Sequence, residues 1–139
     1  MPNPSSTRRA FLRGLPAGLL GLTLLPRRAF AGSGRRPTDH PEPRPGIDAS
    51  RVLRGDQVPP HAARVFDRVR EIPHIVDGIR CHCGCADLPD IYSLLSCYEE
   101  TGMARHCEIC QGEANLAWTL HGQGKSLAEI RIAVDERYG

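Results

Sequence analysis

Residues 81–110 read CHCGCADLPDIYSLLSCYEETGMARHCEIC, and this stretch contains all six cysteines of the 139-residue chain. Three cysteines alternate at its start, one follows near its middle, and two more stand at its end. Cysteines at this density indicate metal binding, disulfide bonds or thiol redox chemistry. We therefore expect both the fold and the function to depend on this stretch.

The first motif is Cys81-His82-Cys83-Gly84-Cys85. Cysteines at alternate positions cannot share one side of a helix, but in an extended or turning loop they project to the same side. Gly84 allows the backbone to turn tightly between two of them. The motif therefore predicts a loop on which three sulfur atoms converge.

The second motif is Cys107-Glu108-Ile109-Cys110, whose two cysteines are three residues apart. At the first turn of a helix this spacing places both on one face, where free backbone N–H groups and the helix dipole favour thiolate. The two motifs together supply five soft ligands. These suit Cu(I) best, and Zn(II) or Hg(II) next. The predicted metal ligands are Cys81, Cys83, Cys85, Cys107 and Cys110, with Cys97 and His82 as secondary candidates.

Two other roles for the cysteines remain open. Three disulfide bonds are possible if each cysteine of the loop is bridged to Cys97, Cys107 or Cys110. Alternatively, Cys107 and Cys110 form the redox pair of a thiol–disulfide oxidoreductase. Enzymatic activity is thus an alternative to the binding of a metal for storage, buffering or transfer.

The regions around the cysteines show helical periodicity. Apolar residues spaced by three and four predict a helix over 60–72, followed by one turn near 75–79. Further helices are predicted from Asp87 to Gly102, from Cys107 to His121 with Ile109 facing inward, and after a capping box that begins at Ser126. No segment shows the alternation typical of a strand, so the expected fold is all-α. It is a bundle of about four short helices with a cysteine-rich loop, over residues 59–139. A core of this size needs a metal or disulfide staple.

The first 31 residues have the features of an export signal. Arg8-Arg9 precedes Phe11-Leu12 and an apolar run from Gly14 to Leu25, which is shorter than the roughly 20 residues a membrane helix needs. Ala29-Phe30-Ala31 suits a signal peptidase. We therefore predict a twin-arginine signal peptide over 1–31, recognised by the twin-arginine export machinery. The protein is expected to be periplasmic or secreted, with no permanent membrane anchor.

Residues 32–58 are rich in proline and glycine and have few apolar side chains. They are predicted to form a flexible linker, with His40 in contact with solvent.

The charge pattern narrows the choice of partners. The chain has 18 basic and 16 acidic residues, but five of the arginines and none of the acids lie in its first 31 residues. From residue 32 onward there are 13 basic and 16 acidic groups, which gives a net charge of −3. This balance provides no basic surface for nucleic acid. The expected partners are the export machinery and a protein that donates or accepts the metal.

Four motifs occur in order along the chain: Ile79–Cys85, Ser93–Cys97, Cys107–Cys110 and Gly124–Arg131. They resemble those of the PCYCGC-motif (CYCXC) family of small exported bacterial proteins. The resemblance covers about residues 60–139 and implies that the six cysteines act as a set, as a soft-metal or redox centre. Arg80 and His82 stand where the family usually has proline and tyrosine, and His82 adds a donor to the loop.

A shorter resemblance covers the C-terminal part of the chain. Its motifs are Cys107–Gln111, Gly124-Lys125-Ser126, Glu129-Ile130 and Arg137-Tyr138-Gly139. They are similar to those of the thiol reductase subunit of cytochrome c maturation. That resemblance implies a redox role for Cys107 and Cys110, although the reductase has only the one cysteine pair.

Overall fold

The computed structural model of the protein describes residues 39–139, so the predicted signal peptide lies outside the described residues. In this part of the chain all regular secondary structure is helical, which confirms the all-α prediction. No helix within it has both the length and the apolar character needed to cross a membrane. The α-helices are α1 (Pro60–Glu71), α2 (Pro73–Asp77), α3 (Glu108–Gly122) and α4 (Leu127–Tyr138).

Short 3-10 helices occupy the segments before α1 and between α2 and α3. Each is three to five residues long and forms at a turn of the chain, not along an extended apolar stripe. Their ranges are Ala49–Arg51, Gly55–Gln57, Cys85–Asp87 and Leu94–Tyr98.

Helix α1 forms as its periodicity predicts. Its buried side chains are Ala62, Val65, Phe66 and Val69, which recur at spacings of three and four. Pro60 stands at its first turn, where the missing N–H group costs nothing. The Phe66 ring packs edge-to-face on Tyr98, with ring centroids 4.7 Å apart, so α1 supports the segment that carries Cys97.

Helix α3 packs between α1 and α4. Its small residues Ala114 and Ala117 are fully buried, as are Ile130 and Val134 of α4. The predicted capping box of α4 is confirmed, because the Ser126 side chain accepts the N–H of Glu129 and the Glu129 side chain accepts the N–H of Ser126. The predicted inward orientation of Ile109 is wrong: this side chain is 42% exposed, on the side of the first turn of α3 that points away from the core.

The predicted helix from Asp87 to Gly102 does not form. Instead, Asp87 ends a 3-10 turn and pairs with Arg80, with 2.8 Å between Oδ1 and Nη2. The chain turns again at Gly102, where a Cβ atom would collide with the Cys97 carbonyl group. These turns place the Cys97 Sγ atom 3.4 Å from that of Cys85.

Residues 39–58 differ from the flexible linker that the sequence predicts. Val52 is 2% exposed and belongs to the hydrophobic core. Arginines hold the backbone in place: Arg70 donates to the carbonyls of Ala49 and Val52, and Arg131 donates to that of Pro41. These hydrogen bonds order the segment. They come from arginines outside it, so the composition of the segment itself does not predict them.

The predicted contact of His40 with solvent is also wrong. Its side chain is 5% exposed, and its Nε2 lies 3.1 Å from the Asp135 carboxylate. Its Nδ1 accepts the backbone N–H of Arg80, immediately before the first cysteine. Burial lowers the pKa of His40 below its usual value. The segment before α1 is thus attached to the cysteine-rich loop itself.

Candidate metal centre

The loop 81–85 brings its three cysteines together, as its spacing predicts. Gly84 has a φ of +88°, the left-handed conformation that favours glycine, and it precedes the 3-10 turn that contains Cys85. The Sγ atoms of Cys81 and Cys83 are 3.3 Å apart, and those of Cys83 and Cys85 are 3.1 Å apart. Cys81 and Cys85 are buried, while Cys83 is partly exposed.

The start of α3 adds the two sulfurs of the second motif. Cys107 is the N-cap residue, and its Sγ accepts the backbone N–H of Cys110 at 3.5 Å. Cys110 is fully buried, and its Sγ lies 3.6 Å from the Sγ atoms of both Cys81 and Cys83. The two motifs, 22 residues apart along the chain from Cys85 to Cys107, therefore meet in one place.

Cys97 is a full member of the cluster, although the sequence made it only a secondary candidate. Its side chain has no exposed surface, and its Sγ lies 3.4 Å from that of Cys85. The Ala104 N–H donates to the Cys97 carbonyl, and the neighbouring Tyr98 hydroxyl donates to the Cys110 carbonyl. These bonds fix the segment 94–98 against the start of α3.

The six sulfurs form three overlapping groups of three, and within each group the Sγ atoms lie within 4.8 Å of one another. Cys81, Cys83 and Cys110 each belong to two groups. None of the six cysteines takes part in a disulfide bond. The groups are Cys81–Cys83–Cys85, Cys81–Cys97–Cys110 and Cys83–Cys107–Cys110.

The buried sulfurs favour the neutral thiol. The hydrogen bond to Cys110 raises the pKa of the Cys81 thiol, and burial raises it further, while the charge of Glu113 acts in the same direction. Several thiolates in such close contact would repel one another without a counter-charge. A cation that binds thiolate supplies that charge and displaces the thiol protons.

His82 does not face the sulfurs, although the sequence suggested it as a secondary ligand. Its Nδ1 lies 2.7 Å from Glu113 Oε1, and its Nε2 lies 3.0 Å from Asp135 Oδ1. The side chain is 7% exposed, so the ring is held between two carboxylates beneath the loop. His82 therefore positions the loop rather than adding a donor to the cluster.

Glu113 is a site residue that the sequence analysis missed. It is fully buried in α3, and its Oε1 accepts the backbone N–H of His82 at 2.8 Å. Burial raises the pKa of its carboxyl group. Glu113 follows Cys110 by three residues, so helical spacing already places both on the same face of α3.

Met103 is the second missed residue. Its Sδ atom lies 3.8 Å from the Cys83 Sγ, which adds a thioether at the edge of the thiol cluster. The side chain is 44% exposed. Its position between Cys97 and Cys107 in the sequence was the available signal, because methionine is a soft donor within the cysteine-rich stretch.

The chain was compared with models of known protein families, with curated proteins and with solved structures, and none of the three searches found a match. The case for a function therefore comes from the cysteine cluster itself.

Proposed function

We propose that the protein binds a soft metal ion in the cluster of six cysteines, with a preference for Cu(I) over Zn(II) or Hg(II). It stores or buffers that metal, or transfers it to another protein. The observation that carries the proposal is the set of three interlocking groups of three sulfurs. Such a set of thiols suits soft metals rather than Ca²⁺ or Mg²⁺, which prefer oxygen ligands. The resemblance to PCYCGC-motif proteins supports the same proposal.

The size of the groups favours Cu(I) over Zn(II). A closed structural zinc site is almost always tetrahedral, with four protein ligands. The groups here each bring three sulfurs within 4.8 Å of one another, and the only histidine of the loop is directed to carboxylates instead. Three sulfurs complete the trigonal coordination that Cu(I) accepts, whereas a zinc site here would need a fourth sulfur drawn from a neighbouring group.

The sharing of sulfurs between groups favours more than one ion. Cys81, Cys83 and Cys110 each connect two groups, so a thiolate at any of these positions can bridge two metal ions. A bridged cluster also needs fewer thiolates per unit of positive charge, which reduces repulsion in a buried site. We therefore expect the chain to bind at least two Cu(I) ions together.

We also propose that the protein reaches the periplasm or the exterior by the twin-arginine route, as Arg8-Arg9 and the short apolar run suggest. This route carries folded proteins. A metal loaded inside the cell would therefore remain shielded by the fold during export.

Native mass spectrometry of the full chain, titrated with Cu(I) under anaerobic conditions, tests the proposal. We expect two or more copper ions to bind per chain and to be lost on denaturation. An apo mass that is lower by about two hydrogens per bridge, with no metal bound, would favour disulfide bonds instead. Turnover of a disulfide substrate by that form would support the oxidoreductase alternative of Cys107 and Cys110.

Cysteine variants test whether a sulfur that belongs to two groups contributes more to copper binding than a sulfur that belongs to one. Cys110→Ser removes a sulfur from two groups and should lower the copper stoichiometry more than Cys107→Ser, which affects one. His121→Ala serves as a control, since it removes a possible ligand that belongs to none of the groups. Circular dichroism checks that each variant remains helical. Wild-type stoichiometry in a folded Cys110→Ser chain would contradict the assignment.

A further inference from the structure

The cluster has an inner and an outer side. Cys81, Cys85, Cys97 and Cys110 are at most 3% exposed, whereas Cys83 and Cys107 are partly exposed. A metal ion that arrives from solvent or from another protein therefore meets an outer sulfur first. Cys83 is the outer sulfur with the most connections, because it belongs to two of the three groups.

Met103 stands beside this outer sulfur. Its Sδ atom is 3.8 Å from the Cys83 Sγ, and nearly half of its side chain surface is exposed. Two hydrogen bonds fix the turn that carries it. The Ala104 N–H donates to the Cys97 carbonyl at 2.9 Å, and the His106 N–H donates to the Met103 carbonyl at 3.0 Å. The turn thus fixes the backbone at Met103, while the unbranched side chain can adopt several rotamers.

A thioether differs from a thiolate in two ways that matter for metal exchange. It is neutral, so it binds and releases a cation without gaining or losing a proton. It is also a soft ligand that binds Cu(I) in preference to harder ions. A thioether next to a thiolate is therefore a weaker copper ligand than the thiolates inside, suited to an ion that must enter and leave.

We propose that Met103 Sδ and Cys83 Sγ form an outer site for Cu(I), through which the ion is exchanged between the buried cysteines and a soft acceptor. This inference rests on the proposed function. In each exchange step one copper–sulfur bond forms as another breaks, and the copper remains Cu(I) throughout. An incoming thiolate replaces the Met103 thioether first and the Cys83 thiolate second, after which Cys83 rebinds copper from the inner groups or takes up a proton.

Methionine-methyl NMR provides a direct test, because Met1 and Met103 are the two methionines of the chain. The full chain is labelled with ¹³C at the methionine methyl groups and titrated with Cu(I), and Met103→Leu assigns the signal. We expect the Met103 methyl signal to shift with Cu(I) and to shift much less with Zn(II). An unmoved signal, or equal shifts for both metals, would overturn the proposal, since equal shifts require only that a metal binds nearby.

Transfer kinetics provide the second test. Copper-loaded wild type and Met103→Leu are mixed with excess bathocuproine disulfonate, a Cu(I) chelator, and zinc-loaded samples are mixed with a pyridylazo dye. The substitution preserves side-chain volume and removes the sulfur. We expect copper transfer to slow by roughly tenfold while zinc transfer changes by less than about twofold. Ile132→Leu, at an exposed apolar position on α4, should leave both rates unchanged.

The outcomes separate this inference from the function on which it rests. A wild-type chain that binds no copper in the mass spectrometer contradicts the proposed function. If the wild-type chain binds copper normally but Met103→Leu transfers it at the wild-type rate, the outer site alone is contradicted.

Discussion

Asp77 shows how one buried charge holds the N-terminal segment to the helices. Its side chain has no exposed surface, and its Oδ1 lies 2.6 Å from Arg44 Nη2. It also accepts the Arg44 backbone N–H and the Ser93 hydroxyl, each at 2.7 Å. Burial opposes ionisation, but the hydrogen bonds and the Arg44 charge outweigh it, so the pKa of Asp77 lies below its ordinary value of 3.8.

Replacing Asp77 by asparagine should therefore destabilise the fold. We expect Asp77→Asn to lower the free energy of unfolding by about 2 to 3 kcal/mol at pH 7, because Arg44 loses its charged partner in a partly buried setting. Urea denaturation followed by circular dichroism measures the change. Asp56→Asn is the matched control, since Asp56 pairs with Arg54 at the exposed surface and should show no measurable effect.

The same pair predicts a pH dependence. Because the folded-state pKa of Asp77 is depressed, its contribution to stability is complete above the unfolded-state pKa and is lost as the pH falls through the folded-state pKa. The wild-type chain should therefore lose stability below about pH 4 more steeply than Asp77→Asn. Parallel curves for the two chains would show that folding does not lower the pKa of Asp77.

At the scale of elements, the turn at Gly102 decides where Cys97 lies. A Cβ atom at Gly102 would overlap the Cys97 carbonyl group and would lie 2.6 Å from the Ser96 carbonyl oxygen. This close approach allows the Ala104 N–H to reach the Cys97 carbonyl. The short 3-10 helix Leu94–Tyr98 is thereby held where the Cys97 Sγ atom lies 3.4 Å from that of Cys85.

We accordingly expect Gly102→Ala to displace the turn. The clash involves backbone atoms, so the cost should be about 2 kcal/mol or more, and copper stoichiometry should fall as Cys97 moves. Gly122→Ala, where a Cβ meets nothing within 4 Å at the end of α3, should instead be neutral or stabilise by about 0.5 kcal/mol. Thermal unfolding and native mass spectrometry compare the two. Equal behaviour of both variants would show that the turn can relax without affecting the cluster.

At the scale of the whole molecule, the cluster connects three separate elements. Sulfurs come from the loop 81–85, the 3-10 helix Leu94–Tyr98 and the start of α3. Between α2 and Glu108 the chain forms only short 3-10 helices. The fold around them is small, and a small hydrophobic core gives only a low free energy of unfolding. Metal bound between the three elements should therefore stabilise the entire domain.

We expect Cu(I) to raise the unfolding midpoint of the full chain. Free metal at about 100 times the dissociation constant should add about 2.7 kcal/mol if the unfolded chain does not bind it. Differential scanning calorimetry under anaerobic conditions, with and without Cu(I), measures the effect. Cys110→Ser should show a smaller increase, and a wild-type midpoint that does not respond to Cu(I) would show that the ion does not bind between these elements.

Features that depend on local spacing could be predicted from residue type and order. The stripe of α1, the capping box at Ser126 and the convergence of Cys81, Cys83 and Cys85 all depend on residues within four positions of one another. Such features follow from the geometry of a helix, a cap or a turn, so residue type and spacing were sufficient to predict them.

Contacts between residues far apart in the sequence follow instead from the packing of the helices. The meeting of Cys97 with Cys85, the approach of Met103 to Cys83 and the capture of His82 by Glu113 and Asp135 join residues up to 53 positions apart. The order of residues 39–58 likewise depends on Arg131, which is 90 residues from the carbonyl that it binds. These contacts depend on how the helices pack, and packing energy is shared over the whole core, so no local pattern encodes them.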